Sequence, residues 1–131
     1  MPEAPIRDNI PLDGMGDGAY LIGNFDNNRT NVQGMLAAKA TEYRPGTVLG
    51  KITASGLFTP LNPSANDGSQ NFAGILYGRR PAKAAATQRA AVTVREATVN
   101  GNLLIYEVAV NATQKAAAEA QASAAGVIIG Y

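Results

Sequence analysis

From Leu36 onward, short apolar stretches recur between turn-forming residues, at spacings that suit β-strands and hairpins. In "YRPGTVLGKIT", Pro45-Gly46 makes a turn and Thr47–Thr53 a strand, with Val48 and Ile52 on one face and Leu49 and Lys51 on the other. Ala54–Gly56 has the length of a hairpin connection, and Leu57–Leu61 is the returning strand. Pro60 has no N–H to donate, so that strand lies at an edge or stops there. The polar "NPSANDGSQ" closes on an Asp67-Gly68 turn, and Asn71–Gly78 follows as a strand. Gly74 inside it signals a bulge or a close backbone approach. A strand over Ala91–Val99, with Val92 and Val94 facing alike, an Asn100-Gly101 turn and a strand over Asn102–Val110 complete the series.

The pattern then changes period. "NATQKAAAEAQASAAG" is dominated by alanine, which has the best helix propensity, and predicts a helix capped by Asn111 or Thr113. Asn111 with Gln114 three residues on forms a capping-box signature, and Gly126 suits the left-handed position just past the helix end. "VIIGY" closes the chain as a short strand.

Met1 to about Gly34 read differently. Pro2, Pro5 and Pro11 punctuate the start, and Gly14, Gly16, Gly18 and Gly23 follow. "AYLIGNF" can make a strand, anchored by Tyr20, Ile22 and Phe25; "MLAAKATEY" suits a strand or one helical turn. This composition predicts an extended arm through about Gly34, carrying one apolar patch. The expected division is an arm over 1–43 and a β-rich domain over 44–131.

Composition narrows the chemistry. At 131 residues the chain suits one domain, which buries roughly two-thirds of its unfolded surface. Aromatics are 6% with no Trp, so the core is built from small side chains. The net charge of +1 supplies no general field for nucleic acid or anionic lipid. No apolar run approaches the ~20 residues of a membrane-spanning helix, and the N-terminus lacks a signal-peptide core; an intracellular, soluble product is expected. The absence of Cys and His removes disulfides, thiolate nucleophiles, Cys/His zinc sites and the commonest general base at neutral pH.

The remaining candidate sites are thin. Asp13 and Asp17 among glycines lack the alternating oxygen ligands and distant Glu of a calcium loop, and those glycines lack the Gly-Lys-Ser/Thr of a phosphate loop. Arg79, Arg80, Lys83, Arg89 and Arg95 make a locally basic stretch with only Tyr77 as aromatic company, better suited to solvent or an acidic protein surface than to nucleic acid. Glu96 and Glu107, on expected neighbouring strands beside Arg95, suit cross-strand charge pairing. Ser55, Ser64, Ser69 and Ser123 have no histidine for a hydrolytic triad. No catalytic constellation emerges, and a non-enzymatic role is expected, without cofactor or metal. A β-rich adhesin or carbohydrate-binding module is the alternative, for which "GNFDNNRTN" (Gly23–Asn31) offers Asn/Asp beside an aromatic.

The order of "PGTVLGKITASGLFTPLNPSANDGSQNFAGILYG" and the terminal "ATQKAAAEAQASAAGVII" resembles the lambda-type phage head decoration, or capsid cement, proteins over about Arg44–Tyr131. The resemblance implies a compact, mostly β, β-clip-like body with one C-terminal helix and an extended N-terminal arm. It implies a homotrimer on the outer surface of the virion capsid, made in the host cytoplasm, that braces the expanded head against packaged DNA. Its partners would be the major capsid protein and copies of itself, with no direct contact to nucleic acid, membrane or small-molecule substrate. On this reading Tyr20, Leu21, Ile22 and Phe25 belong to the capsid-binding arm, and Gly74, Ile75, Leu76, Ala117 and Ala120 to the packing of body and trimer. The Gly-rich length of the arm and the basic segment Arg79–Gln88 depart from the family pattern.

Overall fold

Alternation of side chains puts successive residues of a strand on opposite faces, and here both faces of the central strands are buried. Val48 packs in one apolar cluster and Leu49 in another; Ile75 and Leu76 are divided in the same way. Two layers therefore meet at these strands. The computed structural model describes residues 18–24 and 30–130. Within them the strands are β1 (Leu21–Asn24), β2 (Asn31–Leu36), β3 (Val48–Lys51), β4 (Phe58–Pro60), β5 (Phe72–Leu76), β6 (Gln88–Thr93), β7 (Ala97–Asn100) and β8 (Val127–Gly130). The helix α1 spans Ala112–Ala124.

Five strands close into a barrel in the order β2-β4-β3-β5-β6, sealed by the antiparallel pairing of β2 with β6 from Asn31↔Thr93 to Leu36↔Gln88. Leu36, Tyr43, Leu49, Phe58, Leu76 and Val92 fill the principal cluster. The other three strands form a small sheet, β1-β7-β8, with β1 antiparallel and β8 parallel to β7. Its inner face joins Tyr20, Ala97, Val99 and Val127 to Ile75 of the barrel and Ala122 of α1. Among the described residues the chain is thus mostly β with one C-terminal helix, as expected.

Local chemistry explains the helix. The Asn111 side chain accepts from the Gln114 N–H at 2.8 Å, while Gln114 Oε1 accepts from the Asn111 N–H at 3.0 Å. Two otherwise orphaned donors are satisfied together. Ala118 and Ala122 face the body, and Gly126 follows the helix at φ +92°. Gln121 fastens α1 to the barrel: its Oε1 accepts from the Phe72 N–H at 2.8 Å and its Nε2 donates to Asn71 Oδ1 at 3.0 Å.

Several sequence expectations change. The single strand expected over Ala91–Val99 is two strands, belonging to the barrel and to the small sheet. The break falls at Glu96, whose φ of 56° turns the chain out of line. The strand expected over Asn102–Val110 is instead a 3-10 turn at Gly101–Leu103 followed by irregular chain, tied to the barrel by a bridge between Ile105 and Thr47. Apolar residues there cover the body without pairing in a ladder. Asn31–Leu36 and Tyr43, which the division at 43 places with the arm, are a barrel strand and a fully buried core residue. Pro60 does end its strand.

Candidate functional site

The N-terminal segment joins the body through a short, well-anchored turn. The Gly18 N–H donates to the Tyr77 carbonyl at 2.9 Å, and the Leu21 N–H donates back to Gly18 at 2.9 Å. Gly18 has φ +71°, and a Cβ there would lie 2.7 Å from the Tyr77 ring, so both conformation and space favour glycine. Tyr20 is fully buried. Its hydroxyl lies 2.5 Å from Thr93 Oγ1, which in turn donates to Asn31 Oδ1 at 2.7 Å. Since Thr93 has one hydroxyl proton and gives it to Asn31, Tyr20 is the donor to Thr93. Burial pushes the Tyr20 phenol well above its ordinary pKa, opposed in part by the Thr93 hydrogen bond.

The arm residues singled out by sequence therefore part company. Tyr20 is a core residue, and Leu21 packs half-buried against the same cluster. Ile22 points outward with 64% of its surface exposed, and Phe25 lies outside the described residues. Across the small sheet Ile128 is 60% exposed. Thr98 pairs with Gly23 on one side and Ile128 on the other, while Ile22 lies at a register shift between Leu21 and Gly23, so each outer strand of the sheet carries one exposed isoleucine. Both β1 and β8 have β7 as their only described strand neighbour, which makes them sheet edges. Ile128 was legible in the sequence: alternation in "VIIG" turns it outward whenever Val127 is buried.

Among the body residues, Gly74, Ile75 and Leu76 are buried. A Cβ at Gly74 would collide with Val92 Cγ1, so the glycine marks a close approach of β5 to β6. Ala117 and Ala120 lie on the outer face of α1, opposite in role to the inward Ala118 and Ala122.

The polar candidates have local explanations. Glu107 is not on a strand beside Glu96; its carboxylate meets Lys39 Nζ at 3.1 Å. That ammonium also donates to Thr41 Oγ1 and the Glu42 carbonyl, so the groove of about 290 Å3 beside Lys39 and Tyr43 has its cation engaged. Asp67 accepts from the Ser69 hydroxyl at 2.6 Å, and that bond with the Ser69 N–H holds its carboxyl below the usual range while ordering the loop. Arg79 pairs with Glu42 at 2.7 Å. Asp13 and Asp17, and most of Gly23–Asn31, lie outside the described residues. Among the described residues, no group of three or more Asp, Glu, His or Cys is placed to hold a metal, and no helix is long and apolar enough to cross a membrane.

Among the described residues the chain thus offers a packed β body and a small sheet with an exposed isoleucine on each outer strand. A family model described as bacteriophage lambda head decoration protein D matches residues 13–127. The chain belongs to that family. Comparison with curated proteins finds no match. The family is one of structural phage head proteins rather than enzymes, which places the chain with the virion capsid. The match begins at Asp13, ahead of the resembling stretch that starts at Arg44, and takes in the arm residues Tyr20–Phe25 together with β2. That extent agrees with the packing, in which Tyr20 and β2 are parts of the body.

Proposed function

We propose that this decoration protein acts as a homotrimer on the outer surface of the expanded phage head, binding the major capsid protein and bracing the shell against the pressure of packaged DNA. The observation that carries this reading is the β1-β7-β8 sheet, whose two outer strands each present an exposed isoleucine, Ile22 and Ile128, with no further strand beside them among the described residues. Open strand edges accept a further strand from a partner, with main-chain hydrogen bonds supplying affinity and side-chain pockets supplying specificity. Covering two isoleucines contributes about 1.5–3 kcal/mol each when burial is complete.

Residues 1–17, entering at Gly18, and Phe25 extend this contact onto the major capsid protein. The outer face of α1, with Ala117 and Ala120, meets neighbouring copies around the threefold axis. Once one subunit has docked, the other two face the shell at an effective concentration of order millimolar, and weak single contacts sum to firm attachment. Synthesis in the host cytoplasm precedes this assembly.

The test combines mass measurement in solution with binding to empty expanded heads. Truncation must stop before Gly18, because removal through Gly34 would take Tyr20 from the core and open the barrel at β2. Wild-type protein, a variant lacking residues 1–17, and the Ile22→Asp/Ile128→Asp double variant should all retain a trimer mass. Both variants should lose head binding. A monomeric wild type, or undiminished decoration by both variants, would overturn the proposal.

A further inference from the structure

A groove of about 350 Å3 opens on the β2–β6 side of the barrel, lined by Gln33, Tyr77, Arg80, Arg89 and neighbouring backbone. Its described lining holds two guanidinium groups and no carboxylate. The backbone fixes both arginines. Arg80 is bridged to the fully buried Tyr43 in both directions: its N–H donates to the Tyr43 carbonyl at 3.0 Å, and its carbonyl accepts from the Tyr43 N–H at 2.9 Å. Arg89 stands in β6 opposite Met35 of β2. The Tyr77 N–H donates to the Ala91 carbonyl at 3.0 Å and ties the two stretches together.

The two side chains want an anion. Arg79 meets Glu42 at 2.7 Å, but neither Arg80 nor Arg89 meets a carboxylate among the described residues. The Arg80 Nε is buried and has no acceptor there. A buried donor on a charged group is costly until an acceptor reaches it, and two cations lining one groove repel unless an anion lies between them. A turn of the Arg80 guanidinium toward the groove sets Nε–H and one Nη–H side by side, the fork that a carboxylate accepts with both oxygens.

The surroundings select what carries that carboxylate. Met35, in register with Arg89 and so on the same face of the ladder, is 38% exposed, and an apolar surface adjoins the cations. A protein segment supplies an acidic and an apolar side chain together. A nucleic acid supplies phosphates and stacking bases, yet Tyr77 is the one aromatic residue of the described lining and the net charge of the chain is only +1. We propose that the Arg80–Arg89 groove is a docking point for an Asp or Glu side chain on a partner protein, with an apolar neighbour of that side chain seated on Met35. The ladder and the Tyr43 bridge hold both arginine stems before the partner arrives, so little ordering is lost on binding. The site uses no residue of the β1-β7-β8 sheet and stands whatever that sheet meets on the head.

The experiment is NMR of the Arg Nε–H signals in the full chain. The separate probes are the blocked dipeptide acetyl-leucyl-glutamyl-amide, its glutaminyl counterpart, inorganic phosphate and a thymidine oligonucleotide. The glutamyl peptide should give saturable shifts of the Arg80 and Arg89 Nε–H signals while the Leu76 and Val92 amides, inside the barrel, stay in place. The glutaminyl peptide should bind about tenfold more weakly, the worth of one charge-assisted contact. Arg89→Gln, at an exposed strand position, should weaken the glutamyl peptide by a similar factor. If the glutamyl peptide moves neither arginine signal, or the glutaminyl peptide binds equally well, the proposal is overturned. It is overturned too if phosphate or the oligonucleotide binds more tightly than the glutamyl peptide, since the groove would then be a phosphate or nucleic-acid site.

Discussion

Replacing Tyr20 by Phe removes one oxygen atom and tests how the N-terminal strand is held to the barrel. The hydroxyl donates to Thr93 Oγ1, which donates to Asn31 Oδ1, so the three residues form a chain linking the turn just before β1 to β6 and β2. Tyr20 and Thr93 are 73 positions apart in sequence, and no local structure substitutes for the contact. Losing such a buried hydrogen bond costs about 1–2 kcal/mol, since Thr93 keeps its bond to Asn31. Thr93→Val keeps the volume but leaves both the Tyr20 hydroxyl and Asn31 Oδ1 without this partner, a loss of about 2–3 kcal/mol. The double variant should cost less than the sum of the two, with a coupling of about 1 kcal/mol in the cycle. Urea unfolding gives these differences directly, and each 1 kcal/mol corresponds to a fall in Tm of roughly 3–5 °C for a domain of this size. Hydrogen exchange adds a local reading: the Leu21 and Gly23 amides should lose protection before the barrel amides. Strict additivity, or a Tyr20→Phe variant as stable as wild type, would refute the argument.

Other outcomes can be checked on the same material. Gly74→Ala should destabilise by about 1–3 kcal/mol through overpacking against Val92, and Val92→Ala in the same chain should recover part of that loss in thermal unfolding. Asn111→Ala should cost about 0.5–2 kcal/mol by removing the helix cap, read as a lower unfolding midpoint by circular dichroism. Burial, and secondarily the Glu107 carboxylate, pushes the Tyr43 phenol from 10.0 up to about 12. Between those values the unfolded chain loses a proton that the folded chain keeps. The Tyr43 contribution is therefore whole below pH 10 and should fall by at most about 1.4 kcal/mol per pH unit above it, and Tyr20 adds a separate loss in the same direction. Unfolding midpoints followed against tyrosinate absorbance check this; a midpoint independent of pH between 10 and 12 would contradict it.

Much of this molecule is written locally. The capped alanine helix, the left-handed Gly126 and the strands around Val48, Phe58 and Ile75 follow from neighbour-to-neighbour chemistry. Capping, turn preference and side-chain alternation act within a few residues. The missing His and Cys also limited the chemistry before any fold was known. Contacts between distant residues are another matter. The entry strand looked like part of a loose arm because glycine surrounds it, yet Tyr20 is buried by Ile75 and Val99, residues far along the chain. The closure of β2 on β6 depends on a register that neither strand carries alone. The apolar Asn102–Val110 reads as a strand, but the barrel is already closed by five others and gives it only the Ile105 bridge to Thr47. Ile22 and Ile128 came to flank β7 when β1 and β8 settled on either side of it, and Arg80 and Arg89 came to line one groove when the chain turned back at the basic segment. Both surfaces arise from long-range packing, whose energy belongs to pairs of segments and has no signature in either one.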